Sequence, residues 1–215
     1  MAVVIIDSGS GNLRSVQKAL EQTRPTRQMS QEIRISSKPQ EIARATRLVL
    51  PGQGAFASVR RGLDAVDGLV EAMTEAVLHR AVPLLGICVG MQILVTDGEE
   101  NGRHSGLGWL AGHCRALTPL PGRKIPHMGW NNLELSPSGR SHPLLRGIGD
   151  GDHGYFVHSY AVELTDNSDR LASCDYHGPV TAMIGHGTFA GTQFHVEKSQ
   201  QTGLAILANF WDWRP

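Results

Sequence analysis

In the first part of the chain, short apolar runs alternate with segments that place apolar side chains on one helical face, and this alternation restricts the possible folds most. Val3-Val4-Ile5-Ile6 has the unbroken hydrophobicity of a strand covered on both sides, and residues 12–22 follow with Leu13, Val16 and Leu20 on one helical stripe. Residues 47–50 repeat the strand pattern. Residues 69–79 set Leu69, Val70, Met73, Ala76 and Val77 on a further helix, and 82–87 form another buried strand. Strands that alternate with helices predict an α/β fold with a parallel sheet covered on both faces.

After about Gly106 the pattern changes. Glycine and proline punctuate short segments at 155–160, 180–184 and 188–194, which predict turn-linked, antiparallel strands. Leu204, Ile206, Leu207 and Phe210 bring back a helix at the end, and the tail 211–215 is expected to fray. A length of 215 residues suits one large domain, 1–215, and neither repeats nor a linker interrupt it.

Charge excludes some partners. With 20 Lys+Arg against 20 Asp+Glu there is no overall field to draw the chain to nucleic acid or an anionic membrane. Asp7 breaks the first apolar run, and no window approaches the roughly 18 apolar residues of a membrane span. A soluble, cytoplasmic protein is expected. Cys88, Cys114 and Cys174 are odd in number and widely spaced, without a C-x-x-C pair, so they read as free thiols with no zinc site or disulfide framework.

One of these thiols has an unusual setting. In Gly86-Ile87-Cys88-Val89-Gly90 a buried strand passes into a helix through a cysteine between two glycines, the thiol counterpart of a nucleophile elbow. A helix N-terminus beneath the sulfur would favour thiolate and aim free N–H groups at a developing oxyanion. Taken alone, a lone cysteine is more often simply buried. A nucleophile of this kind needs a base and an orienting group. Phe194-His195-Val196-Glu197 offers both, because residues two apart in an extended segment project to one side. As a bare pattern, H-x-E also describes a surface histidine beside a glutamate. Pro51-Gly52-Gln53-Gly54 lies past the second strand, at the sheet edge where open α/β folds place their sites; an ordinary glycine-rich turn is the alternative.

These three segments together resemble the class I, or triad, glutamine amidotransferases, in the same order and over essentially the whole chain. Asp7-Ser8-Gly9-Ser10-Gly11-Asn12, Pro126-His127-Met128-Gly129-Trp130-Asn131, 155–160 and Glu197-Lys198-Ser199 are similar, more narrowly, to glutaminase subunits of imidazole glycerol phosphate synthases in histidine biosynthesis. The resemblance implies a flavodoxin-like three-layer sandwich whose central, mostly parallel sheet has helices on both faces and an antiparallel C-terminal portion. It implies Cys88 as nucleophile, His195 as acid/base and Glu197 as its orienting carboxylate. Gly52 and the Val89 N–H would form the oxyanion hole. Gln92, Glu100 and the Ser159-Tyr160 backbone would hold glutamine, and Asn12, Met128, Trp130 and Lys198 would face a (β/α)8-barrel cyclase partner. Neither cofactor nor metal is implied. The 7–12 turn lacks the lysine of a phosphate loop and the full G-x-G-x-x-G spacing.

Two residues depart from the family pattern. Gln53 stands where valine is frequent, in a peptide tied to partner-dependent activation, and Val196 replaces a proline, removing a φ restraint between His195 and Glu197. The competing readings are a stand-alone amidase, a glutaminase serving another synthase, and a silent scaffold that only binds a barrel.

Overall fold

The computed structural model describes residues 2–215. Along the chain run β1 (Ala2–Ile6), α1 (Leu13–Thr23), β2 (Glu32–Ser36), α2 (Pro39–Ala43), β3 (Ala45–Gly52), α3 (Phe56–Asp64) and α4 (Leu69–Thr74), which continues as a π turn to His79. Next come β4 (Leu84–Cys88), α5 (Val89–Gln92), β5 (Val95–Gly98), β6 (His104–Ser105), β7 (Leu110–Ala116), β8 (His127–Asn132), β9 (Glu134–Leu135) and α6 (Pro137–Ser141). Strands β10 (His153–His158), β11 (Tyr160–Leu164), β12 (Arg170–Asp175), β13 (Pro179–His186) and β14 (Phe189–Thr192) precede the closing helix α7 (Gln200–Asp212).

The main sheet has eight strands in the order β2-β1-β3-β4-β14-β13-β12-β9. It is parallel from β2 to β14 and antiparallel from β14 to β9. That division is the one expected from the change of pattern along the sequence. A four-stranded sheet, β11-β7-β5-β6, and a ribbon of β10 with β8 were not expected.

The unbroken apolar run of β1 serves two cores at once. Val3 and Ile5 pack with Val16 and Leu20 of α1 and with Ile206, Leu207 and Phe210 of α7, whereas Val4 and Ile6 pack with Ile42, Phe56, Leu63 and Met73 on the opposite face. Alternate side chains of one strand thus reach both helical layers, which makes the three-layer sandwich.

Against the expectation of fraying from 211, the C-terminal tail is held as far as Trp213, and only Arg214 and Pro215 beyond it are exposed. Trp211 is fully buried inside α7 and Trp213, beyond its end, is 3 % exposed. Buried Arg47 on β3 holds this end, its Nε donating to the Phe210 carbonyl (2.8 Å) and its Nη2 to the Trp213 carbonyl (3.0 Å). The guanidinium satisfies carbonyls that the helix leaves unpaired at its C-terminus.

Candidate active site

Parallel pairing sets Gly52 of β3 beside Cys88 at the carboxyl end of β4, so the two glycine-bearing segments meet at one sheet edge. Cys88 has φ 55° and ψ −114°, a strained conformation that turns its side chain out of the strand. Both flanking glycines are required by close approach. A Cβ on Gly90 would lie 1.8 Å from the Leu50 carbonyl oxygen, and one on Gly86 would lie 2.5 Å from the Gly90 carbonyl oxygen. The helix that follows differs from expectation, since α5 is a single turn of four residues. It offers free first-turn N–H groups, Val89 among them, but little aligned dipole.

His195 and Glu197 are brought together by a turn and not by an extended strand. β14 ends at Thr192, and Val196–Lys198 form a 3-10 turn. In that turn His195 Nδ1 lies 2.9 Å from Glu197 Oε1, with the two side chains 5 % and 1 % exposed. The turn is pinned without a proline. The His195 N–H donates to the Tyr155 carbonyl, Ser199 Oγ donates to the His195 carbonyl at 2.6 Å, and the Tyr155 N–H donates to Ser199 Oγ at 2.9 Å. Val196 therefore sits in a segment already tied to β10 at two points.

Burial alone lowers the His195 pKa, but the Cys88 sulfur and the Glu197 carboxylate outweigh it and push it up to about 9. Glu197 Oε2 is buried without a hydrogen-bond partner among the described residues, so its charge acts mainly on the imidazole. This electrostatic arrangement favours imidazolium beside the sulfur. Cys114 and Cys174 are also buried, but burial raises their thiol pKa, that of Cys174 to about 12, and neither lines the cavity beside Cys88. They are free thiols, as the spacing predicts.

Cys88, Val89, Gln92, Glu100, Ser159, Tyr160 and His195 line one cavity of about 500 Å³, together with Gln53 and Lys198. Glu197 is covered behind His195, and Gly52 adjoins the wall at Gln53. Glu100 Oε2 accepts the Phe56 N–H (2.7 Å) that opens α3, a helix start with no side-chain cap from its own N-cap residue. Gln92 Nε2 donates to the Tyr160 carbonyl and to Gln193 Oε1, both at 3.0 Å.

A chain of neutral histidines supports the same carbonyl, and the sequence did not point to it. His158 Nδ1 lies 2.9 Å from the Tyr160 carbonyl and must donate, so its Nε2 accepts from His127 Nδ1 at 2.9 Å. His127 Nε2 then accepts from Asn131 Nδ2 at 3.3 Å. Burial holds both pKa values down at about 4, with Arg123 adding to the effect on His127, as the neutral tautomers require.

Met128 and Trp130, two apart on β8, stand on the outer face and are 62 % and 46 % exposed. Trp130 is thus no core aromatic. Lys198 is exposed at the cavity rim, and half-buried Asn12 precedes α1.

The sequence matches the family model described as Glutamine amidotransferase class-I over residues 4–213. The chain belongs to the class I glutamine amidotransferase family. Among curated relatives, the protein named "Imidazole glycerol phosphate synthase subunit HisH" from Rhodospirillum rubrum is 53 % identical over the full length of both chains. Its namesake from Cereibacter sphaeroides is 48 % identical over the same extent. A crystal structure of a glutamine amidotransferase superposes with a TM-score of 0.71, covering 96 % of this chain and 98 % of that one at 18 % identity, which supports the fold. In this amidotransferase Gln193, fully buried between β14 and His195, is the residue beside the sulfur that sequence reasoning missed. Two polar side chains, Thr192 and Gln193, inside the otherwise apolar segment Phe189–Phe194 were the available signal. No helix among the described residues is long and apolar enough to cross a membrane, and no group of three or more His, Cys, Asp or Glu could hold a metal ion.

Proposed function

We propose that residues 1–215 act as one glutaminase domain that supplies ammonia to the cyclase subunit of an imidazole glycerol phosphate synthase, in the cytoplasm. The observation that carries this reading is the meeting of Cys88, at a strained elbow, with the buried His195–Glu197 pair in a cavity of about 500 Å³, in a chain 53 % identical over its full length to a relative of that name. The cavity is in the range of small-molecule sites.

Cys88 thiolate attacks the side-chain carboxamide carbon of glutamine, and the carbonyl oxygen takes the negative charge. N–H groups of Gly52 and Val89 stabilise that oxyanion. His195 imidazolium protonates the leaving nitrogen as the tetrahedral species collapses, and ammonia departs from a glutamyl thioester. Neutral His195 then takes a proton from water, whose oxygen attacks the thioester and releases glutamate and the thiolate. Glu197 holds the ring and stabilises its charge in each half. Gln92, Glu100 and the Ser159-Tyr160 backbone bind the substrate's other groups.

Free ammonia is largely protonated in neutral water and then has no lone pair to react, so a closed route to a second site has a chemical purpose. The outward Met128 and Trp130, with Asn12 and Lys198, suit a docking face for a (β/α)8-barrel partner, since bulky aromatics anchor interfaces well. The test is glutamate release by the purified chain, alone and with a barrel cyclase and its ribonucleotide ligand, beside Cys88→Ala. Strong activation by the liganded partner, lost in Cys88→Ala, is expected. A rate indifferent to the partner would leave a glutaminase but remove the pathway assignment.

A further inference from the structure

The side chain of Gln193 bonds two elements of the site while staying out of the cavity wall. Its Nε2 donates to Cys88 Sγ at 3.7 Å, and its Oε1 accepts Gln92 Nε2 at 3.0 Å. The backbone of Gln193 is fixed as well, its N–H donating to the Ala182 carbonyl of β13 (2.8 Å). A fully buried amide is costly unless both ends are satisfied, and an apolar side chain would fill the same space without that requirement.

The orientation of this amide is determined by its neighbours. Gln92 directs one amide hydrogen to the Tyr160 carbonyl and the other to Gln193, so a flipped Gln193 would oppose one NH2 group to another. Only the observed orientation satisfies all three groups, and it aims an N–H at the sulfur. Gln92 Oε1 is left facing away from both bonds, with no partner among the described residues.

We infer that Gln193 is a positioning residue that holds the nucleophilic sulfur of Cys88 and the substrate-contacting amide of Gln92 in one fixed frame. The inference rests on the reading of Cys88 as the nucleophile of a glutaminase. Because Gln193 donates to sulfur and accepts from Gln92, its two functions separate by substitution. Gln193→Met conserves volume and removes both bonds. Gln193→Glu keeps an acceptor for Gln92 but presents an acceptor to the sulfur.

The experiment measures kcat and KM for glutamine, and the rate of Cys88 alkylation by iodoacetamide, in the complex with the cyclase. Gln193→Met is expected to lose tenfold to a hundredfold in kcat/KM, shared between kcat and KM, with the size of a hydrogen bond to a charged group. Gln193→Glu is expected to keep KM within about threefold while kcat and alkylation fall about tenfold or more. Combining Gln193→Met with Gln92→Ala should cost less than the product of the single changes, because the Gln92–Gln193 bond is lost in both. Were Gln193→Met not to fold, the divergence of kcat from KM in Gln193→Glu decides alone. Wild-type kinetics in Gln193→Met, equal losses in kcat and KM for Gln193→Glu, or a double variant equal to the product of the singles would overturn the inference. In each of those cases an inactive Cys88→Ala leaves the glutaminase reading standing, whereas activity in Cys88→Ala would remove that reading itself.

Discussion

His195 sits between a sulfur and a carboxylate, and Cys88 and then Glu197 favour its charged form against burial. Glu197→Gln keeps the shape and one acceptor for Nδ1 but removes the negative charge that favours imidazolium. With no charge to hold the proton needed by the departing nitrogen, kcat for glutamine should fall about 10²-fold or more, with a smaller change in KM; steady-state glutamate release checks this. At this scale the sequence exposed the residues whose chemistry is tied to a local pattern. Cys88 was legible because Gly86 and Gly90 flank it, and the structure supplies the reason, since any side chain on Gly90 would enter the Leu50 carbonyl. Gln193, His127 and His158 were not legible. Each is a polar residue with at least one partner remote in sequence: Gln193 is 105 positions from Cys88, and His127 is 31 from His158.

At the scale of elements, periodicity located β1, α1, β3, β4 and α7, because strands buried on both faces and helices buried on one have distinct apolar patterns. β2 escaped it. Glu-Ile-Arg-Ile-Ser at Glu32–Ser36 is an edge strand with charges between its apolar residues, so it lacks a continuous run. The tail was misjudged for a related reason: position at a terminus suggested fraying, but Arg47, 163 residues before Phe210, captures its carbonyls. Arg47→Met would leave those carbonyls without their charged donor. It is expected to destabilise the protein by about 1–3 kcal/mol, read as a lower unfolding midpoint in denaturant, and to make the C-terminus the first segment to exchange amide hydrogens. Burial lowers the Arg47 pKa to about 10, assisted by Arg214, so the guanidinium stays charged at neutral pH and this support persists there.

For the whole molecule, two sets of histidines oppose one another in their pH dependence. His127 and His158 are held neutral with pKa values near 4, against about 6.5 in an unfolded chain, so below that value the unfolded state binds more protons. Their contribution is complete above about pH 6.5 and is lost as pH falls toward 4. His195, raised to about 9, behaves in the opposite sense: its stabilisation is complete below about pH 6.5 and is lost as pH rises through 9. Stability should therefore peak near pH 6.5, and the alkaline decline, of order 1–3 kcal/mol, should flatten in His195→Asn; denaturant unfolding at a series of pH values measures both. The sequence by itself determined the α/β class, the change from parallel to antiparallel texture, the glycine-flanked setting of Cys88 and the family, because each depends on patterns local to single segments of the chain. Only the tertiary structure decided which polar residues meet. The pinning of the His195–Glu197 turn to β10, the His127–His158 contact under Tyr160 and the Gln92–Gln193–Cys88 frame all depend on segments brought together by folding, and no local pattern encodes contacts between segments so far apart.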